Sequence, residues 1–295
     1  MKSNTRNVLL TAIAPVVWGT TYAITTEFLP GYAPITVAML RALPAGLLML
    51  LLARQLPTGI WWLRVFVLGA LNFSIFLSTL FIATYRLPGG VAATVGAVQP
   101  LLVVFLAYAL LGTPIRALAI GAALLGVAGV ALLVLTPGAA LDPVGIVAAL
   151  VGAVAMAFGT VLSRRWRPPV PLVAYTAWQL AAGGLLLVPV ALLFDPPMPV
   201  PTLANLLALA WLGLIGMALT YLLWLRGITR LEPSIVSPLL LLSPVTAVVV
   251  GWVALGQALT PWQVTGALLV VASIWLGQRY AAPRPVAGAA ADAAR

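Results

Sequence analysis

The side chains that could do chemistry in this chain are few, and most of them are neutral. The sequence contains no cysteine and no histidine, which excludes thiol catalysis, disulfides and the commonest metal ligand and general base. Glu27, Asp142, Asp195 and Glu232 lie at the ends of apolar segments, and none lies in the middle of one. Because acid–base catalysis needs positioned titratable groups, we expect no enzyme, no metal site and no cofactor.

Arg41 is the charged residue that lies deepest within an apolar segment. A charge in the hydrocarbon region is costly, so it marks a functional site by default. Its guanidinium could hold a substrate carboxylate through paired hydrogen bonds. It could equally snorkel or bond to backbone carbonyls at a helix break, and the residue pattern leaves both interpretations open.

Two prolines lie near the middle of apolar segments, and each follows a polar residue, as Gln99-Pro100 and Ser243-Pro244. A proline inside a helix removes a backbone hydrogen bond and kinks the helix. Freed carbonyl groups are tolerated in a membrane where protein or a water-filled cavity satisfies them. We therefore predict two kinks beside a central site, with Gln99 and Ser243 binding substrate there. Simple packing kinks are the alternative.

Aromatic residues and their neighbours at helical spacing complete the candidate site. Buried Tyr and Trp need partners for their polar atoms, and lipid supplies none. These side chains should therefore face the interior or a wet cavity, although helix packing is the alternative for each. The remaining candidate substrate-binding residues are Trp18, Tyr22, Phe73, Phe76, Leu77, Leu80, Phe158, Tyr175, Trp178, Gln179, Tyr221 and Trp224.

The elements that must position these residues are transmembrane helices. The chain of 295 residues is 63% hydrophobic and 7% charged, whereas soluble domains carry about 25% charged residues. Segments of about 20 apolar residues span a bilayer as helices. An all-α membrane protein with ten such helices is predicted, at Asn7–Glu27, Ala33–Ala53, Trp62–Tyr85, Val91–Leu111, Ile115–Leu135, Val144–Ser163, Pro171–Leu193, Thr202–Leu225, Ser234–Leu255 and Pro261–Gln278.

The basic residues predict the orientation of these helices. Of the 15 Lys and Arg residues, Arg41 is within a segment and Arg86 falls in an outside loop. All others lie on one side if both termini are cytoplasmic, which agrees with the positive-inside rule. The net charge of +10 is therefore attributed to orientation in a bacterial inner membrane, and no nucleic-acid partner is expected.

The two halves of the chain repeat each other. Gly69 and Gly213, Arg86 and Arg230, and Pro100 and Pro244 each lie 144 residues apart. Upstream, the spacing is 138 residues, which matches Arg41 with Gln179 and Gly46 with Gly184.

An odd number of segments per half makes the second half enter the membrane from the opposite side. We therefore predict two inverted five-helix repeats around a central cavity at the midplane. The predicted boundaries are residues 1–139 and 140–280, followed by a disordered cytoplasmic tail at 281–295.

The order of these motifs resembles a known family. Trp18-Gly19, the proline-bearing fourth and ninth segments, and the Leu111-Gly112 and Leu255-Gly256 pairs that close them are similar to the EamA repeat of the drug/metabolite transporter superfamily. The resemblance covers residues 7–278. Within that superfamily, the ten segments and the aromatic interior look most like YddG-type exporters of aromatic amino acids. Many EamA repeats carry Glu after Leu-Gly, where this chain has Thr113 and Gln257.

The resemblance implies an exporter of hydrophobic, above all aromatic, amino acids that works by alternating access. A broad-specificity drug or metabolite exporter of the same superfamily is the alternative, and exchange of nucleotide sugars or sugar phosphates is disfavoured by the single interior arginine. The missing mid-segment carboxylate argues against a proton relay. A membrane-embedded enzyme and an assembly factor are the other classes considered. The expected partners are an amino-acid substrate and the lipid bilayer, and a monomer is our working expectation.

Overall fold

The computed structural model describes residues 2–86, 95–134, 142–167, 169–256 and 260–280, and these residues form helices joined by loops, without strands. Within these ranges, eight helices are long and apolar enough to cross a membrane. They are Thr5–Phe28, Pro34–Ala53, Trp61–Leu80, Ala117–Val134, Pro143–Arg165, Leu172–Phe194, Leu203–Arg230 and Pro233–Ala254. The predicted tail at 281–295, Gln257 and the start of the fourth predicted segment lie outside the described residues.

Helices also lie at the fourth and tenth predicted positions, and the helical rods within the described ranges are labelled α1 to α10 in chain order. Rods α3, α8 and α9 each consist of three consecutive helical segments, and the other rods are single helices. The bounds are α1 Lys2–Phe28, α2 Pro34–Ala53, α3 Trp61–Gly69, Ala70–Ile75 and Phe76–Arg86, α4 Gln99–Leu111, α5 Ala117–Val134, α6 Pro143–Arg165, α7 Leu172–Phe194, α8 Leu203–Ala210, Trp211–Leu219 and Thr220–Arg230, α9 Pro233–Val236, Ser237–Leu241 and Leu242–Leu255, and α10 Pro261–Tyr280.

The surface of the bundle is apolar and several polar side chains lie inside it. Leu192 and Leu193 at the end of α7 are 79% and 77% exposed, whereas Arg41, Asn72 and Gln179 are buried. This distribution reverses that of a water-soluble protein. It follows from lipid as the surrounding solvent, since polar groups in a bilayer must find partners within the protein.

Matching π-helical segments interrupt α3 and α8. They are Ala70–Ile75 and Trp211–Leu219, and the 144-residue repeat spacing superimposes the first on the second. A π-helical turn shifts the helix face and frequently occurs at functional sites. Both halves therefore carry a π-helical segment at the equivalent place of their third helix.

The prolines Pro100 and Pro244 lie near helix starts rather than in the middle of continuous α-helices. The chain turns at residues 97–98, α4 then begins at Gln99, and Pro100 occupies its first turn. In α9, a 3-10 segment over Ser237–Leu241 comes just before the α-helix that contains Pro244. A proline in the first turn costs no hydrogen bond, because that backbone position has no intrahelical partner.

Rods α4 and α9 also end alike. Gly112 and Gly256 follow them with φ angles of 69° and 66°, the left-handed conformation that glycine adopts without strain. The Leu-Gly pairs that were recognised in the sequence are thus helix C-caps.

Equivalent helices of the two halves contact each other directly through glycine. A Cβ built on Gly46 of α2 would lie 2.3 Å from the backbone N of Ala181 in α7, and one on Gly184 would lie 2.6 Å from Cα of Leu43. Because residue numbers rise along one helix as they fall along the other, α2 and α7 run antiparallel. At one end of this pair, the carboxylate of Asp195 accepts hydrogen bonds from the backbone N and Oγ1 of Thr36, at 2.6 and 2.8 Å.

Rods α5 and α10 repeat this arrangement. The Cβ position of Gly129 lies 2.8 Å from the backbone N of Val270, and that of Gly266 lies 2.5 Å from the backbone N of Leu133. These helices also run antiparallel, and their glycines allow the close approach that small residues provide in membrane proteins.

Candidate functional site

Four of the predicted aromatic residues form one cluster in the core. The ring of Tyr221 lies 4.9 Å from that of Trp18 and 4.5 Å from that of Phe73, and Trp224 lies 5.4 Å from Trp18, all between centroids. These tilted and edge-on arrangements are the favourable geometries for aromatic pairs. Rods α1, α3 and α8 therefore meet through their predicted aromatic faces.

The indole of Trp18 is also anchored by hydrogen bonds. Its Nε1 donates to the carbonyl of Gly216 and to Oγ1 of Thr220, both at 2.9 Å. The hydroxyl of Thr220 donates in turn to the same carbonyl at 2.7 Å. The π-helical segment of α8 supplies Gly216, so the local helix geometry positions the acceptor.

Arg41 lies beside this cluster and is only 7% exposed. Its Nη2 is 3.8 Å from the position that a Cβ on Gly216 would take. Its Nε has no hydrogen-bond partner within the described part of the chain. A buried donor on a cation is costly to leave unpaired, and a carboxylate is the acceptor that pairs with a guanidinium most strongly.

Gln179, the residue matched with Arg41, belongs to a separate cluster of polar side chains. Its Oε1 accepts from Nδ2 of Asn72 at 2.9 Å, and the same Nδ2 lies 3.2 Å from Oγ of Ser163. Asn72 comes from the π-helical segment of α3, and all three side chains are buried. The cluster joins α3, α6 and α7 by hydrogen bonds in the interior.

Tyr175 and Trp178 lie in another place, at the end of α7 where it meets the connection between α2 and α3. Nε1 of Trp178 donates to the carbonyl of Gln55 at 2.7 Å, and both rings lie 6.4 Å from that of Trp61. A cavity of ≈ 350 Å³ opens there, lined by Gln55, Leu56, Thr58, Trp61, Pro169, Val170 and Trp178. The structure therefore separates these two residues from the aromatic core.

The other predicted residues take several positions. Leu77 is buried in the apolar core with Phe73 and Tyr221, and Phe76 and Leu80 pack against it. Gln99 is buried, and its Nε2 is without a hydrogen-bond partner in the described ranges. Phe158 and Ser243 are half-buried on α6 and α9, and the side chain of Tyr22 is outside the described residues.

Asn72, Ser163 and Gly216 are not among the residues predicted from the sequence. Asn72 did leave a signal, because a single amide in the middle of an apolar segment needs a partner. The contribution of Gly216 had no such signal, since it depends on a π-helical turn and on the packing of α8 against α2.

Comparison with known proteins finds similar proteins over nearly the whole chain. The EamA-like transporter family matches residues 5–135 and 143–277. Protein PecM of Dickeya dadantii (strain 3937) is 42% identical over 92% of this chain and 94% of its own length. The uncharacterized inner membrane transporter YedA of Escherichia coli (strain K12) is 27% identical over 92% of this chain and 91% of its own length. The structure also resembles a crystal structure that is 24% identical in sequence, with a TM-score of 0.80. The match includes 94% of this chain and 99% of the other protein's chain.

Proposed function

The chain belongs to the EamA-like transporter family, and we propose that it exports hydrophobic amino acids, with aromatic ones preferred. The observation that carries this proposal is the position of Arg41. The buried guanidinium offers an unpaired Nε within the described structure, next to the ring cluster of Trp18, Phe73, Tyr221 and Trp224. A zwitterion with an apolar side chain supplies a carboxylate for the cation and a body for the rings.

The transport mechanism in this proposal is alternating access between two inverted five-helix repeats. The antiparallel contact of the equivalent helices α2 and α7 supports it, as does that of α5 and α10. The two π-helical segments also lie at equivalent places in the two halves, as a repeat requires. Rocking of such halves would open a midplane site to each side in turn.

The proposed topology has ten spanning helices, with both termini in the cytoplasm of a bacterium and the protein in its inner membrane. Thirteen of the 15 basic residues would then lie on the cytoplasmic side, since Arg41 lies within α2 and Arg86 lies outside. Arg86 has a partner there, as its Nη1 lies 3.6 Å from the carboxylate of Asp142. Because no carboxylate lies in the middle of a helix, the substrate gradient is the proposed driving force.

Counterflow in proteoliposomes tests the proposal. Vesicles loaded with unlabelled tryptophan, phenylalanine or threonine should accumulate the corresponding labelled amino acid, and an imposed proton gradient should leave the rate unchanged. Arg41→Gln should lower the rate at least about tenfold by removing a charged hydrogen-bond donor, without lowering the amount of protein inserted.

A broad-specificity exporter of drugs or metabolites is the alternative outcome of the same experiment. Counterflow of uncharged aromatic compounds at the rate of the amino acids, together with full activity of Arg41→Gln, would establish it. Absence of amino-acid counterflow in wild-type vesicles would end the amino-acid proposal.

A further inference from the structure

The two halves of the chain have equivalent positions in their π-helical segments, and the residues at one such pair of positions differ. Asn72 and Gly216 are 144 residues apart, and each lies in the π-helical segment of its half. Gln179 and Arg41, their neighbours on α7 and α2, are matched at 138 residues. The contact of Asn72 with Gln179 therefore corresponds to that of Gly216 with Arg41.

At the first position, the chain fills the space with its own amide. Nδ2 of Asn72 lies 2.9 Å from Oε1 of Gln179, and both side chains are buried. A ligand would have to break this bond to enter.

At the second position, the corresponding side chain is missing. A Cβ on Gly216 would have its nearest neighbours at 3.8 Å, namely Nη2 of Arg41 and the carbonyl of Trp211. This is ordinary van der Waals distance, so a carbon atom fits at this position without displacing a neighbour. The group that this space can accept must satisfy the guanidinium, which keeps an unpaired Nε within the described residues.

The residues that lie near the two positions also differ. Near Gly216, Trp18 donates hydrogen bonds to the carbonyl of Gly216 and to Thr220, and its ring contacts those of Tyr221 and Trp224. The matched residues of the other half are Phe158, Phe76, Leu77 and Leu80. Thus one position combines a cation with polar aromatic rings, whereas the other holds the neutral side chains of Asn72, Gln179 and Ser163, bonded to one another.

We infer that Gly216 is a specificity-determining residue, because the side chain it lacks leaves space beside Arg41 for the carboxylate of an apolar substrate. Asn72 closes the equivalent position of the other half, so the transporter has one anion site and not two. This inference rests on the proposed function for the identity of the substrate, but the site itself requires only a monocarboxylate with an apolar body.

Binding of 3-phenylpropionate to the full-length protein in detergent tests the inference by calorimetry, with 3-phenylpropanamide as the uncharged probe. The wild type should bind the acid at least about tenfold more tightly than the amide, since only the acid pairs with Arg41. Gly216→Asn should weaken binding of the acid at least about tenfold, because an amide would occupy the space as Asn72 does. Arg41→Gln should have a similar effect, and the double variant should show little further loss because both changes affect one site.

Gly213→Ala is the matched control, one turn earlier on the same segment. Its Cβ would meet the backbone carbonyl of Arg41 at 3.5 Å and not the guanidinium, so the affinity for the acid should stay within about twofold of wild type. If Gly216→Asn does not fold, Gly216→Ser replaces it, with an expected loss of at least about threefold.

Equal affinity of the wild type for acid and amide, no saturable binding of the acid, or wild-type affinity in Gly216→Asn would overturn the inference. Failure of the proposed function gives a different result. Phenylalanine would then show no counterflow, while 3-phenylpropionate would still bind in a manner that depends on Arg41 and Gly216.

Discussion

Among single residues, Trp18 connects the aromatic cluster to the π-helical segment of α8. Its Nε1 has two acceptors, the carbonyl of Gly216 and Oγ1 of Thr220. Trp18→Phe should keep the ring contacts and lose both hydrogen bonds, so we expect the KM for counterflow to rise about three- to tenfold. Thr220→Val removes one acceptor only and should have the smaller effect. Unchanged KM in Trp18→Phe would show that these bonds do not shape the site.

Asn72 should act on stability and not on transport directly. Asn72→Ala removes the closer of the two donors to Oε1 of Gln179 in the buried interior, and we expect the free energy of unfolding to fall by about 1–3 kcal/mol. Ser74→Ala is the control, since Ser74 donates one bond to the carbonyl of Gly183 and its loss should cost about 1 kcal/mol. Denaturant titration of the purified protein measures both values, and equal stability of Asn72→Ala and wild type would contradict the prediction.

At the level of helices, the contact between α2 and α7 depends on two glycines. The Cβ of Gly46→Ala would lie 2.3 Å from a backbone atom of α7, and backbone cannot move aside as a flexible side chain can. We expect the helices to separate at a cost of about 1–3 kcal/mol, seen as a lower melting temperature and broader size-exclusion peak. Gly121→Ala is the control, because no atom lies within 4 Å of its Cβ position. Equal melting temperatures for the two variants would argue against this close packing.

For the whole molecule, the proposed orientation can be tested by chemical labelling. The native sequence has no cysteine, so a single introduced thiol gives the entire signal. Met198→Cys lies in the exposed connection between α7 and α8, and Thr58→Cys lies in that between α2 and α3. In intact cells, a membrane-impermeant maleimide should label Met198→Cys and should reach Thr58→Cys only after the membrane is opened. The reverse pattern would place the termini outside.

Much of the architecture could be predicted from the sequence, because membrane helices depend on local properties. Long apolar segments with few charges indicate helices without reference to any partner. The eight helices that can cross a membrane all coincide with predicted segments. The start of α4 was not predicted, since the pattern of apolar residues is continuous over 91–111 and does not indicate the turn at residues 97–98 that comes just before Gln99. A proline is compatible with either a kink or a first turn.

The candidate site was predicted in composition and only in part in geometry. Helical spacing correctly placed Trp18, Phe73, Tyr221 and Trp224 on inward faces, because polar aromatic atoms need partners in lipid. The sequence by itself thus determined the class of protein, its internal repeat and the aromatic side chains that lie in the interior. Only the tertiary structure decided that Tyr175 and Trp178 lie elsewhere, that Asn72 bonds to Gln179, and that Gly216 lies beside the guanidinium of Arg41. The physical reason is that these three features depend on distances between helices and on π-helical turns, which apolar periodicity does not encode.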